Sequence, residues 1–230
     1  MRFEHISISG IPAIVWGAPS DTVWLCVHGK MSNKESAEGI ARIACPRGCQ
    51  VLSFDLPQHG ERAHQPDRCD IWNGIRDLSA VAEYAFSRWQ TVNLYACSLG
   101  VFFALHAYPS LPFRKALFQS PIVDMEYLIG QMMLWFGVSG ERLEREREVD
   151  TPIDILSWKY YQYVKAHPID RWPIPTHILF AGQDDLQSRQ VMEDFTRRFR
   201  CRLTVSESSR HPFMEEADLP LVENWLEANM

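Results

Sequence analysis

The chain has 230 residues, 46% hydrophobic and 23% charged, with a formal charge of −6. That is ordinary globular composition for one domain, long enough to bury a substantial core. The net negative charge argues against a phosphate-backbone partner, which needs a clustered basic face. The apolar runs, such as Val23–Val27 and Met132–Phe136, are far too short to span a bilayer. The amino-terminal stretch MRFEHISISG lacks the basic start and long apolar core of a signal peptide, which predicts a cytoplasmic protein. Cys26, Cys45, Cys49, Cys69, Cys97 and Cys201 follow no disulfide or zinc rhythm, and read as free thiols in a reducing compartment. His59, His64 and Cys69 match no standard ligand spacing, so no zinc site is expected of them.

In chain order, Phe3–Ser9 and Ile11–Trp16 read as a hairpin across a Gly-Ile-Pro turn. Thr22–Val27 is a buried-type strand, followed by a helical stretch from about Lys34 to Ala44 and a second apolar strand, Gln50–Phe54. Asp70–Trp89 carries helical spacing, with Ile71, Ile75, Leu78, Val81, Ala82 and Ala85 on one face. Val92–Ala96 is a short strand, Leu99–Ala107 a helix of small and apolar residues, and Lys115–Gln119 the next strand. A long segment then runs from Pro121 to Pro175. Beyond it come strand Thr176–Phe180, amphipathic helix Ser188–Arg200, strand Arg202–Val205 and helix Leu219–Ala228. The mixed-sign run Gly140–Asp150 (GERLEREREVD) reads as a solvated helical surface. Alternating strands and helices predict a mostly parallel central sheet covered by helices on both faces. In such sheets ligands sit beyond the carboxyl ends of the strands.

Those strand ends carry unusual chemistry. Tyr95-Ala96-Cys97-Ser98-Leu99-Gly100 joins a strand to a helix, with small residues two before and two after the serine. A tight turn of this kind exposes a serine hydroxyl above the sheet, and only small neighbours fit it. Asp184 and Asp185 follow the penultimate strand in GQDD, and His211 follows the last strand. The third position after Gly182 favours Asp185 as the acid, with Asp184 capping the turn; Asp124 is a further alternative. Ser98, Asp185 and His211 thus form a candidate nucleophile, acid and base. An oxyanion needs two backbone donors, one after the nucleophile and one after an earlier strand, which nominates the N–H groups of Leu99 and Lys30. The Lys30 side chain is expected to face solvent.

HGKMSN, DLPQHGE, ACSLG, GQDD and HPF resemble, in order, the HG-x, D-x-x-x-HG, G-x-S-x-G, G-x-x-D and H-x-x-F stations of the α/β-hydrolase superfamily. The resemblance spans nearly the whole chain, and HG-x-x-SN looks like the small serine esterases, including cinnamoyl and feruloyl esterases and monoacylglycerol lipases. Two departures stand out: Ala96 replaces the commoner first Gly of the serine motif, and Gln58 stands where Gly is usual in the turn Asp55–Gly60. In that superfamily the Asp55–Gly60 turn is mainly structural. The resemblance implies an α/β-hydrolase fold over residues 1–230, with a small helical cap inserted at about 121–175. It implies ester cleavage through an acyl-enzyme, with no cofactor and a small-molecule ester as partner, and the methionines and aromatic residues of the inserted segment point to a small to medium hydrophobic ester. Thioester hydrolysis, acyl transfer or carbon–carbon bond hydrolysis would use the same triad, and a non-catalytic binding protein could retain the fold. In the inserted segment, Met132, Trp135, Phe136 and Trp158 are the candidates for an apolar acyl or aryl pocket. The sequence does not fix the oligomeric state.

Overall fold

A computed structural model describes residues 1–230. Ten strands and eight α-helices alternate as β1 (Phe3–Ile8), β2 (Ile11–Trp16), β3 (Thr22–Val27), α1 (Glu38–Ala44), β4 (Gln50–Phe54), α2 (Ile71–Arg88), β5 (Thr91–Cys97), α3 (Leu99–Ala107), β6 (Ala116–Gln119), α4 (Met125–Trp135), α5 (Gly140–Glu146), β7 (Glu148–Asp150), β8 (Ile155–Ser157), α6 (Trp158–Ala166), β9 (Thr176–Ala181), α7 (Arg189–Phe199), β10 (Arg202–Ser206) and α8 (Leu219–Asn229). Eight strands form one sheet in the order β1-β2-β4-β3-β5-β6-β9-β10. β1 and β2 pair antiparallel, as do β2 and β4, and every later pairing is parallel. The expected mostly parallel sheet is present, with its antiparallel hairpin at one edge.

Burial of both faces explains the unbroken apolar run of β3. Val23, Leu25 and Val27 join one core layer while Trp24 and Cys26 join the other, the period-two alternation of a strand. Helix α3 is apolar all round, as a helix covered on every side must be. It packs on α2 at Gly74, where a Cβ would lie 2.7 Å from the Phe103 ring. Asp70 caps α2, its carboxylate accepting from Asn73 N–H at 3.0 Å. The stretch expected to be one helix from Lys34 splits into a 3₁₀ turn, Lys34–Ala37, and then α1.

Between β6 and β9 the segment 121–175 holds α4, α5, the antiparallel hairpin β7–β8 and α6. The charged run Gly140–Asp150 is not one helical surface: α5 ends at Glu146 and Glu148–Asp150 turns into a strand. No helix is long and apolar enough to cross a membrane.

Candidate active site

β5 is a central strand, and its last pairing, Cys97 with Gln119 of β6, delivers Ser98 to the carboxyl edge of the sheet. Ser98 adopts φ 50° and ψ −121°, a backbone conformation that costs an L-residue energy and persists only where the surroundings dictate it. Here they do. Ser98 N–H donates to Gln119 O at 3.1 Å, and Ser98 O accepts from Val101 and Ile122 N–H groups at 3.0 and 3.3 Å. Gly100 lets α3 start against the strand-β3 loop, for a Cβ there would lie 2.5 Å from His28 O and 2.7 Å from Val27 O. Gly100→Ala is therefore expected to destabilise the fold by about 1–3 kcal/mol, as overpacking does, and to displace the His28–Lys30 loop. Gly130→Ala in α4, where a Cβ meets nothing within 4 Å, is the control and should be neutral or stabilising. Chemical denaturation of the two variants checks both expectations.

His211 lies in the loop after β10, with its Nε2 2.7 Å from Ser98 Oγ. Its Nδ1 lies 2.8 Å from Asp184 Oδ2. The carboxylate acts only as an acceptor, so Nδ1 carries the ring proton and Nε2 is free to accept from the serine hydroxyl. Asp184 takes the place expected of Asp185. Its N–H closes a turn onto Ala181 O at 3.1 Å, which directs the side chain inward, where none of it is exposed. Oδ1 of Asp184 accepts from Leu186 and Gln187 N–H groups at 2.8 and 3.1 Å. Asp184 thus caps its own turn with one oxygen and holds His211 with the other. Asp185 points outward and is exposed. The turn closes one residue earlier than the spacing from Gly182 predicts. Asp124 is occupied elsewhere, capping α4 by accepting from Tyr127 N–H at 2.8 Å.

The nominated amide donors belong to the residue after Ser98 and the residue after Gly29. Leu99 is the first residue of α3, so its N–H has no acceptor within the helix. Lys30 follows Gly29, where a Cβ would sit 3.0 Å from Ser98 Cβ and 3.7 Å from Ser98 Oγ. The Lys30 side chain does not simply face solvent. It reaches across to the inserted segment, donating to Ile153 O at 3.0 Å and pairing with the Asp154 carboxylate. The sequence separation, more than a hundred residues, gives no local signal for that contact.

Two histidines fix this loop from beneath. His28 Nε2 accepts from Leu56 N–H at 3.1 Å, so its Nδ1 donates to Gly29 O at 2.7 Å. Burial lowers the His28 pKa to about 4, which keeps this ring neutral at ordinary pH. His59 Nε2 accepts from Met31 N–H at 3.0 Å, and its Nδ1 donates to Pro57 O. Asp55, fully buried, accepts from Lys34 Nζ and from the Lys34 and Glu61 N–H groups. Gly60 is obligatory beside it, since φ is +52° and a Cβ would lie 2.2 Å from Asp55 Oδ1. The Asp55–Gly60 turn is scaffolding for the Gly29–Met31 loop.

Gln187 was not singled out by any sequence pattern. It is fully buried, its Oε1 accepting from Val123 and Asp124 N–H groups and its Nε2 donating to Asp124 O and Leu186 O. It ties the Asp184 turn to the start of the inserted segment.

The four apolar candidates of that segment scatter. Met132 is buried in the main core layer, which leaves it no free face for a pocket wall, and Phe136 packs against the same layer. Trp135 is 43% exposed at the end of α4, and Trp158 packs on Tyr161 with ring centroids 6.0 Å apart. A cavity of about 280 Å³ lies between α3, α4, α6 and α7, and another of about 380 Å³ lies under the amino-terminal hairpin. Neither is lined by these four residues or by Ser98, Asp184 or His211. Two exposed methionines lie on the loops that carry Lys30 and His211: Met31, 93% exposed, and Met214, 80% exposed. No group of three His, Cys, Asp or Glu side chains gathers closely enough to hold a metal ion.

No protein-family model matches the chain. A serine hydrolase-like protein of Dictyostelium discoideum is 29% identical over 105 residues, which is 44% of this chain and only 29% of that protein. Among solved structures, Est1E from Butyrivibrio proteoclasticus with ferulic acid bound is similar at TM-score 0.76 and 16% identity, covering 98% of this chain and 96% of its own. Alpha/beta hydrolase domain-containing protein 10 from mouse gives 0.79 and 15%, covering 99% and 98%. The Pyrococcus furiosus esterase Pf2001 gives 0.67 and 15%, covering 99% and 92%. With the strand order β1-β2-β4-β3-β5-β6-β9-β10 and likeness to these structures along almost its full length, the chain has the α/β-hydrolase fold.

Proposed function

We propose that the protein is a serine hydrolase that cleaves carboxylic esters of small to medium hydrophobic acyl or aryl groups. The observation that carries this reading is the unbroken line Ser98 Oγ–His211 Nε2 and His211 Nδ1–Asp184, at 2.7 and 2.8 Å. In the first half-reaction His211 takes the Ser98 proton as Oγ attacks the ester carbonyl carbon. Asp184 holds the imidazole in the required tautomer and stabilises the imidazolium that forms. The carbonyl oxygen becomes an oxyanion held by the N–H groups of Lys30 and Leu99, and losing one such donor typically costs about 10²–10³ in kcat. His211 returns its proton to the leaving alcohol, and the acyl group remains on Ser98. Water, deprotonated by His211, then attacks the acyl-enzyme and restores the hydroxyl. Every proton is accounted for by one histidine, and the reaction as written uses only water besides the ester.

The apolar character of the substrate is supported by Met31 and Met214, which place flexible hydrophobic surface on the loops that carry Lys30 and His211. Est1E, with ferulic acid bound, is a structure of the same fold with an aryl acid as its ligand. On this reading residues 1–230 act as one domain and the segment 121–175 is the cap over the site. A cytoplasmic location is supported by six free cysteines, which suit a reducing compartment.

The test is turnover of p-nitrophenyl acetate and butyrate beside the matching acyl-CoA thioesters, with fluorophosphonate labelling and peptide mapping. The expected outcome is ester hydrolysis and a single adduct on Ser98. Silence across all ester and thioester substrates, with no adduct on the folded protein, would overturn the reading.

A further inference from the structure

Two loops must meet within a few tenths of an ångström for Ser98 and His211 to share a proton. They come from strands β5 and β10, which are not neighbours in the sheet. The hydrogen bond that joins them, Ser98 Oγ to His211 Nε2, is the reacting one itself, and it must break and reform during turnover. Something else has to hold the two in register.

Gln119, the last residue of β6, touches both. Its main-chain oxygen accepts from Ser98 N–H at 3.1 Å, fixing the strained serine turn. Its side chain, buried at 8% exposure, reaches the other way, and Nε2 donates to Pro212 O at 2.9 Å, on the residue next to His211. The remaining amide atom, Oε1, accepts from the Tyr95 hydroxyl at 2.7 Å. Tyr95 lies on β5, three residues before the serine, and is itself buried. A glutamine amide has two nearly isosteric orientations, and here the chemistry selects one. The phenol donates to Oε1, so the NH₂ group must face Pro212. The flipped amide would set two carbonyl oxygens against each other and leave the phenol pointing at a donor.

We propose that Gln119 is a positioning residue for the base: its main chain sets the Ser98 turn, its amide sets the His211 loop, and the Tyr95 hydroxyl fixes which way the amide points. This rests on the serine-hydrolase reading above. The chain Tyr95–Gln119–Pro212 joins the nucleophile's strand to the base's loop without passing through Ser98 Oγ, His211 or Asp184. It therefore stays intact while the triad's own hydrogen bonds break and reform. Gln119 is buried beneath the loop, so its loss should not alter substrate affinity. Misplacement of a reacting group by about 1 Å can cost 10²-fold in rate.

The experiment compares Gln119→Met, which keeps the length and removes both polar atoms, with the milder Tyr95→Phe, each first checked for a cooperative melting transition. Against p-nitrophenyl butyrate, Gln119→Met should lower kcat about 10–100-fold with KM changed less than about twofold. Tyr95→Phe should show the same pattern more weakly, since it frees the amide to rotate without deleting it. In parallel, nitrogen-15 histidine NMR of wild type and both variants reads the low-field Nδ1 proton of His211, which needs no turnover. That proton should exchange faster with water in Gln119→Met and less so in Tyr95→Phe. If wild type hydrolyses no ester, the serine-hydrolase reading fails while the NMR comparison still decides whether Gln119 positions the imidazole. A folded Gln119→Met protein with wild-type kcat, or one whose His211 proton exchanges as in wild type, would overturn the proposal.

Discussion

Ser98→Ala is expected to lower ester turnover by on the order of 10⁶-fold in kcat and to abolish fluorophosphonate labelling. The size follows from what is removed: the only group on the line to His211 Nε2 that can form the acyl-enzyme. Residual catalysis from backbone donors and binding alone would leave about 10³–10⁴ over water. The replacement keeps the Cβ and deletes a single oxygen, so the fold should survive, and a melting curve close to wild type shows that it has. The neighbouring thiol offers no bypass. Burial, with the Asp184 charge adding to it, pushes the Cys97 pKa up to about 12, so almost no thiolate exists at neutral pH. A folded Ser98→Ala protein that keeps more than a few per cent of turnover in a burst-kinetics assay would remove Ser98 from the mechanism.

Asp184→Asn and Asp185→Asn should differ by orders of magnitude although the residues are adjacent. Asp184→Asn is expected to cost about 10⁴-fold in kcat, because an amide NH₂ facing Nδ1 selects the tautomer with its proton on Nε2, where it cannot accept from the serine. The asparagine oxygen can still accept from Leu186 and Gln187 N–H groups, so the turn should hold and the loss should appear in rate rather than stability. Asp185→Asn changes an exposed side chain and should stay within about 0.5 kcal/mol, or about twofold in rate. Steady-state kinetics on both variants reads the contrast directly. Equal effects at the two positions would contradict the assignment of the acid to Asp184.

Between Asp184 and Asp185 residue type alone does not choose. Ser98 is legible because it ends an apolar strand and the serine turn demands small residues at 96 and 100, and His211 because it is the histidine between the last strand and the last helix. Two carboxylates in a row after Gly182 are equivalent until the turn closes, and it closes through Asp184 N–H to Ala181 O, a contact that leaves no trace in residue types. The sheet strands were legible for the same reason as the serine: β3 and β4 are buried on both faces and bounded by turns. The inserted segment was not. Helix α5 buries only Leu143, so it shows no apolar stripe, and β7 and β8 are three residues each, too short for an alternation to register. Methionine suits a pocket wall and a core equally, and only packing shows that Met132 fills the core.

Lys30 has two attachments that point in different directions. Its peptide bond joins it to Gly29, which packs against Ser98, while its ammonium clasps the turn at Ile153 and Asp154. On the mechanism proposed here, the donor that meets the oxyanion and the β7–β8 hairpin are then a single lever. An ester bulky enough to lift that hairpin would tug residue 30 and blunt the very group meant to polarise it. Discrimination by size would then be felt as slower chemistry rather than weaker capture, with the penalty paid only after the substrate has entered.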